Sequence, residues 1–582
     1  MAISNGVHHS AVRVATAQFY SHTDVPANLE LCRKYIREAA AVGAQLIVLP
    51  ENANRCRTDY KDKQIAYELC EDLDGEFVSG LCSTANELNI FIVVGVDLKA
   101  KVSPDVNIGV VLIGADGHVL YVHHKTVLWD YEYGLFKPGT KDIEVVQTPI
   151  GKLGLLSCAD GIVPEVPRLS ALKGAEILCN SLNSRGPDEM RCHEPLRALE
   201  NHVWMVASNS VGGTEDAYPW TGGSQIISPK GEVLACAGET DYGMVWADIT
   251  PETSFPKVLG GGIGPLDQFR RPDLYGDLVA PIDSVPAAKM YGPVAEDAPK
   301  RPLNVVTLQL SWYHSTFWTV TRAVGQVKYA ASRGAQLGVF PELFCFKPGE
   351  VAADPAAAAD FSGQVLSKIQ AAAAEASSMW VVVDLVEQSG DKFYSTAYLI
   401  DSAGQIAGRY RKCHLGEVER TWATPGESFT VVDTPIGMIG LMIGNEVWLP
   451  EVSRILTLRG AEVIAHPADW DRVEAATMAA VERTEENRTH LVSCARTDNP
   501  AKFGSQIVVA DRFRFGQCIA LMRYPTAIWS RTGFEENIFY ELDLQDSHSK
   551  VQGFYLDPVG TRQPGLYSVM VEVPQKNGTK VA

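Results

Sequence analysis

No Cys-x-x-Cys pair occurs in this chain, although it carries twelve cysteines. Their wide, irregular spacing leaves neither a zinc pattern nor a dithiol redox motif. They read as reduced thiols of a cytoplasmic protein, mostly small core residues. A phosphate-binding glycine loop is also missing, and no residue pattern asks for a metal or a cofactor. The longest apolar runs, such as FIVVGV at 91–96, are far too short to span a bilayer and read as buried strands. Positive charge is in deficit, with 51 Lys and Arg against 70 Asp and Glu, a formal charge of −19. That balance argues against nucleic acid or an anionic membrane as partner, because both need a basic surface. The opening residues, MAISNGVHHSAVRVATAQF, lack the basic stretch and apolar core of a secretory signal. A cytoplasmic protein is expected.

What is present is a doubled pattern. IGKLGLLSCADGIVPEVPR at 150–168 returns as IGMIGLMIGNEVWLPEVSR at 436–454. AVGAQLIVLPE at 41–51 returns as ASRGAQLGVFPE at 331–342, and HHKTVLWDYEYGLFKPG at 123–139 as YRKCHLGEVERTWATPG at 410–426. ENHVWMVASN at 200–209 and RRPDLYG at 270–276 find echoes at 486–495 and 562–568. The order is kept and the offset drifts by only a few residues, the signature of a duplicated domain. The first copy is expected over 1–276 and the second over 303–582. Residues 277–302, rich in Pro and Ala, read as a linker along the surface.

Each copy alternates strand and helix. VRVATAQF at 12–19 has strand alternation, and the following segment places Leu31, Tyr35, Ala39 and Val42 on one helical face. QLIVLP reads as a strand buried on both sides. KLGLLS reads as another, followed by a helix over EVPRLSALKGAEIL. The pattern predicts sheets packed face to face with helices outside.

Four residues of the first copy could carry chemistry. Glu51 follows a buried strand, where ligand sites of α/β sheets sit, though a solvated loop glutamate is the plainer reading. Lys125 ends an apolar strand and could equally be a solvated strand end. Glu132 lies among Trp129, Tyr131, Tyr133 and Phe136, or is an exposed partner for Lys137 or Lys141. Cys158 sits where a strand turns into a helix. There the helix dipole would favour the thiolate, whereas an inert buried cysteine is the commoner fate. In the second copy Glu342, Lys412 and Glu419 take the places of Glu51, Lys125 and Glu132, but Gly444 replaces Cys158.

LPE at 49–51, HK…E…PG over 124–139, and G-x-L-x-C-x-D-x-x-x-P-E-x-x-R over 154–168 resemble the three signature blocks of the nitrilase superfamily of carbon–nitrogen hydrolases. The resemblance covers nearly all of 12–276, and a degraded version covers 303–570. It implies an α/β fold of two tandem αββα four-layer sandwiches, packed as an intramolecular pseudo-dimer. It implies Cys158 as nucleophile, Glu51 as general base, Lys125 and the Ala159 N–H as oxyanion donors, and Glu132 as a second glutamate that orients substrate and supports proton transfer. No metal is required. Trp129, Tyr133 and Asn183 are candidates for substrate contact, and Tyr218-Pro219-Trp220 could wall a pocket. Cys-Ala-Asp-Gly at 158–161 looks more like the amidase branches than the Cys-Trp-Glu of true nitrilases. A linear small-molecule amide is the expected substrate. An N-carbamoyl amine, a nitrile, or a non-catalytic regulatory or interaction role are the alternatives. The second copy should be inactive, and the family's habit implies further assembly of pseudo-dimers into a homo-oligomer.

Overall fold

The computed structural model describes residues 11–129, 131–186, 189–213, 220–260, 262–292, 294–295, 297–511, 526–550 and 556–573. Alternating apolar positions in VRVATAQ form the strand Val12–Gln18. It pairs in parallel with Leu46–Val48, which pairs in parallel with Phe91–Lys99. Gly243–Ile249 closes one edge of this six-stranded sheet, and Val106–Ile113 and Val119–His124 extend the other. The second sheet runs Val233–Cys236, Gln225–Ile227, Trp204–Ser208, Ile177–Ser181, Gly151–Ser157, Val145–Thr148, with its three central pairs mixed parallel and antiparallel.

The inner faces of the two sheets meet through Val14, Val48, Val93 and Val110 on one side and Leu155, Ile177, Cys179 and Val206 on the other. The outer face of the first sheet is covered by helices Val25–Ala41 and Glu76–Leu88. Asp24 starts the former by accepting the Ala27 N–H. Its buried stripe is Leu29, Cys32, Tyr35, Ile36 and Ala39. Two positions of the expected face, Leu31 and Val42, sit at the margin. The outer face of the second sheet carries helices Glu165–Leu172 and Glu194–Asn201. The former is shorter than its sequence suggests: Gly174, at φ +94°, turns the chain and Ile177 already begins a strand.

The second half repeats this plan with two further six-stranded sheets, built from strands between Pro302 and Asp543. The fold is therefore α/β, two αββα sandwiches in one chain. They pack as a pseudo-dimer through the helices beside their second sheets, where one apolar cluster runs from Leu169 and Leu196 to Ile455 and Val481. Buried ion pairs cross this interface reciprocally. Arg168 Nε lies 3.1 Å from Glu451 Oε1, and Arg454 Nε lies 2.9 Å from Glu165 Oε1. Arg197 meets Glu486 at 2.8 Å, and Arg483 meets Glu200. Exchange of equivalent pairs is what a two-fold interface requires.

The segments after each sandwich also cross over. Arg270 donates to Glu451 and to the Met570 carbonyl, while Arg562 donates to the Leu278 carbonyl. Leu278, Val285 and Ala287 are buried in the shared cluster, so the connection at 277–302 is packed in part rather than lying wholly on the surface. Among the described residues no helix is long and apolar enough to cross a membrane.

Candidate active site

Glu51 stands three residues past the end of Leu46–Val48, where its backbone N–H donates to the carbonyl of Leu182, just past the second-sheet strand Ile177–Ser181, 3.1 Å away. Its backbone presses on Gly95 of the neighbouring strand, where any Cβ would collide with it. Lys125 follows Val119–His124 and is pinned on both sides: its N–H donates to Ile108 and its carbonyl accepts from Gly139. These supports aim two strand-end side chains at one point. Lys125 Nζ donates to Glu51 Oε1 at 2.9 Å and to Glu132 Oε1 at 3.1 Å. Glu132 opens a one-turn helix, and its Oε2 accepts the Trp129 N–H at 2.7 Å. All three side chains are buried. Glu132 is thus not an exposed partner of Lys137, which pairs with Asp105 instead.

Cys158 begins a three-residue turn directly after Gly151–Ser157, with φ at +47°, a region that L residues other than Gly, Asn and Asp rarely adopt. Asp160 holds the turn in shape. It accepts from Thr126 N and Val127 N at 3.0 Å each, from Thr126 Oγ1 at 2.7 Å and from Ser157 N at 3.2 Å, and it meets His123 Nε2 at 2.7 Å. Burial alone would raise its carboxyl, but His123 and Thr126 hold it below the usual range. Cys158 N donates to Asn180 Oδ1 at 2.9 Å, and Asn180 Nδ2 donates to Glu194 Oε1 at 2.7 Å. Asn183, beyond the strand Ile177–Ser181, offers a backbone hydrogen bond to the thiol.

The charges do not act as the sequence suggested. Helix Glu165–Leu172 starts seven residues beyond Cys158, too far for its dipole to dominate the thiol. Burial instead pushes Cys158 well above the usual thiol range, with Lys125 the main counterweight. Burial also raises Glu51, against the pull of Lys125 and Arg57. For Lys125, burial is outweighed by Glu132 and Glu51, so the ammonium is stabilised. For Glu132, burial is outweighed by Lys125 and Arg57, and its carboxylate is favoured. The resting cluster is a thiol beside a carboxyl group with raised proton affinity and a firmly charged lysine.

Several members were not singled out from the sequence. Arg57 donates to Glu132 Oε1 at 2.6 Å and grips Asp97 with two bonds of 2.9 and 2.7 Å. Ser157 Oγ donates to Glu51 Oε1 at 3.0 Å. Comparison of the two copies carried a signal for both, since Arg57 corresponds to Pro348 and Ser157 to Ile443, beside the lost cysteine. Of the proposed substrate contacts, Ala159 is fully buried in the Cys158 turn, and Trp129 is half-buried beside Glu132. Tyr133, part-exposed, hydrogen-bonds Thr561 of the second half and lies within electrostatic reach of Glu132 and Lys125. Tyr218 and Pro219 lie outside the described residues, and Trp220 is covered by the Arg185 guanidinium at 4.0 Å.

The family model for carbon-nitrogen hydrolase matches residues 13–254 and again 305–497. The chain belongs to the carbon-nitrogen hydrolase family. A nitrilase of Pyrococcus abyssi is 33% identical over 224 residues, which is 38% of this hydrolase and 83% of the relative. An omega-amidase of Xenopus tropicalis is 30% identical over 275 residues, 45% of this chain and 96% of its own. A crystal structure of an amidase from Nesterenkonia sp., 24% identical, aligns over 43% of this chain and 95% of its own with a TM-score of 0.38.

In this hydrolase the second half keeps the Lys–Glu–Glu arrangement. Lys412 Nζ lies 2.8 Å from Glu342 and 2.6 Å from Glu419, and Gly416 N donates to Glu419 Oε2 at 2.8 Å. Gly444 keeps the left-handed turn, at φ +53°. A Cβ built there would collide with the Glu342 carboxylate, which occupies the space a side chain would need. At the register of Gly95 stands Asp384, which accepts from Leu343 N at 3.2 Å and from Ser395 Oγ at 3.1 Å. Three carboxyl groups thus face one lysine. Burial pushes Asp384 up to about 7 and Glu342 well above its usual range. Among the described residues no group of three or more His, Cys, Asp or Glu is placed to hold a metal ion.

Proposed function

We propose that this carbon-nitrogen hydrolase is an amidase that cleaves a linear amide through a thioester on Cys158. The observation that carries the proposal is the buried Glu51–Lys125–Glu132 cluster set beside a cysteine on a strained turn. A resting thiol needs a base at the moment of attack, and Glu51, with its raised proton affinity, suits that task. The sulfur attacks the amide carbon as its proton passes to Glu51. The oxyanion is stabilised by the Lys125 ammonium and the Ala159 N–H, a type of donor whose loss costs about 3 kcal/mol. Collapse breaks the C–N bond, and Glu51 returns the proton to the departing ammonia. Water then adds to the thioester, Glu51 takes its proton, and the carboxylate leaves as the thiol re-forms. Glu132, fixed by Arg57 and Trp129 N, holds Lys125 in position.

Cys-Ala-Asp-Gly at 158–161 supports an amide over a nitrile, while the matched relatives carry both kinds of name, nitrilase and amidase. The second half, 303–582, is read as an inactive copy, because Gly444 offers no nucleophile and Glu342 fills its place. It is read as a support for the first. Gln563 Nε2 donates to the Thr126 carbonyl at 2.7 Å, next to Lys125. We place the protein in the cytoplasm and expect pseudo-dimers to associate further, which light scattering would report.

A panel of amides, nitriles and N-carbamoyl amines, with intact-mass detection of an acyl adduct, tests the reading. Amides should turn over and leave an adduct on Cys158. Turnover of nitriles without amides, or full activity in Cys158→Ala, would overturn it.

A further inference from the structure

The interface between the halves is two-fold symmetric in its main ion pairs, but at one point the symmetry breaks. Glu482 of the second half corresponds to Leu196 of the first, and its partners Cys192 and His193, with the adjoining Glu194, correspond to Met478, Ala479 and Ala480. The polar cluster they build therefore exists on one side only, the side of the half that has the cysteine. Glu482 Oε1 meets His193 Nδ1 and accepts from Arg197, each at 2.7 Å, and Glu482 Oε2 faces the Cys192 thiol at 3.5 Å. Every one of these side chains is buried.

From this cluster two short chains of hydrogen bonds lead to the Cys158 turn. Arg197 Nε donates to the Gly161 carbonyl at 2.8 Å, and its terminal nitrogen donates to the Ile162 carbonyl at 2.6 Å. One residue from His193, Glu194 accepts from Asn180, whose Oδ1 accepts the Cys158 N–H. The two chains meet closely, since a Cβ on Gly161 would stand 2.9 Å from Asn180 Nδ2 and 3.0 Å from Glu194 Oε1. Arg197 also faces Glu200 and Glu486, which it shares with Arg483. Those pairs recur in mirror image in the second half. Glu482 does not recur, so the symmetric framework alone does not account for it.

We infer that Glu482 is a positioning residue supplied by the second half to the first: it fixes His193 and Arg197, and through them the turn that presents Cys158. This rests on the reading that Cys158 is the reacting group. It gives the second half a specific task, beyond covering an apolar face. A carboxylate placed here orients the guanidinium that holds the Gly161 and Ile162 carbonyls directly after the turn, and a misplaced turn costs rate more than affinity.

The test uses the full-length chain and two readouts, Cys158 alkylation by iodoacetamide, followed by peptide mass spectrometry, and steady-state amide kinetics. Glu482→Gln should slow alkylation at least fivefold and lower kcat about tenfold with KM within twofold. Glu482→Asp, which keeps the charge, should recover at least half of both losses. Glu451→Gln removes an equally buried bridging carboxylate that serves Arg168 and Arg270 rather than the turn. It should lower Tm yet leave alkylation within twofold. Wild-type alkylation and kcat in Glu482→Gln would overturn the inference, as would Glu451→Gln reproducing the whole effect. Should Glu482→Gln fail to fold, Glu482→Leu, which places there the residue type of the equivalent position Leu196, decides, and wild-type alkylation and kcat in that variant overturn the inference. Failure of the wild type to turn over any amide would count against the amidase reading, while the alkylation rates would still judge Glu482.

Discussion

Cys158 and Gly444, 286 positions apart in the chain, hold the same left-handed backbone turn, at φ +47° and +53°. A left-handed conformation at a residue with a side chain costs about 1–2 kcal/mol, and glycine removes that cost. The first half therefore bears a backbone strain that the second has shed together with its sulfur. Cys158→Gly should abolish turnover, by about a thousandfold or more, while leaving Tm unchanged or raised. A clear fall in Tm would show that the turn is not strained in the folded protein.

Restoring the sulfur to the second half should not restore a site. In Gly444→Cys the new Cβ meets the Glu342 carboxylate, and relief requires moving a side chain tied to Lys412. Overpacking of this kind costs about 1–3 kcal/mol. Placed in a Cys158→Ala background, Gly444→Cys is expected to give no amide turnover and a lower Tm, readable by an ammonia-release assay and calorimetry.

Lys125 neutralises two buried carboxyl groups at once. Lys125→Met leaves Glu51 and Glu132 to Arg57 alone, and removal of one partner from a buried pair typically costs about 3–5 kcal/mol. Because Lys125 is the main influence lowering the Cys158 thiol, its loss should also move the rise of Cys158 alkylation with pH to higher pH. An alkylation profile identical to wild type would contradict the placement of Lys125 beside the sulfur.

Asp384 makes the stability of the second half depend on pH. Burial pushes its carboxyl up to about 7, against about 3.9 in an unfolded chain. Between these values the folded protein holds a proton that the unfolded chain has released. The contribution of Asp384 is full below about pH 4 and is lost as pH rises towards its folded value. Wild type should therefore lose stability relative to Asp384→Asn by up to ~1.4 kcal/mol per pH unit across that window. Parallel Tm curves for the two proteins over this range would refute it.

The reciprocal interface pairs permit a double-mutant test. Arg454→Met strands Glu165 in a buried position and should cost about 3–5 kcal/mol, measured by denaturant unfolding. Adding Glu165→Leu should recover most of that loss, because an apolar pair needs no desolvation of charge. A double variant as weak as the single would mean that the pair contributes beyond charge balance.

The sequence could group Glu51, Lys125 and Cys158, since each stands at the end of a strand of the first copy and together they resemble the family's signature blocks. Arg57 escaped because its partners Asp97 and Glu132 are 40 and 75 positions away, and no periodicity links a loop arginine to either. Of the helix face read from the sequence, Tyr35 and Ala39 are buried as expected, while Leu31 and Val42 sit at the margin and Leu29 and Ile36 are buried instead, since all four are apolar and only the sheet beneath selects among them.

By itself the sequence determined the duplication, the alternation of strand and helix, and the loss of the sulfur in the second copy, because these are written in local order and in matching residues. The tertiary structure alone decided the sign of the shift at Cys158, the collapse of Glu342 onto Gly444 and the reach of Glu482 across the interface. Proton affinity depends on burial and on charges gathered from distant segments, and those quantities exist only once the chain has packed.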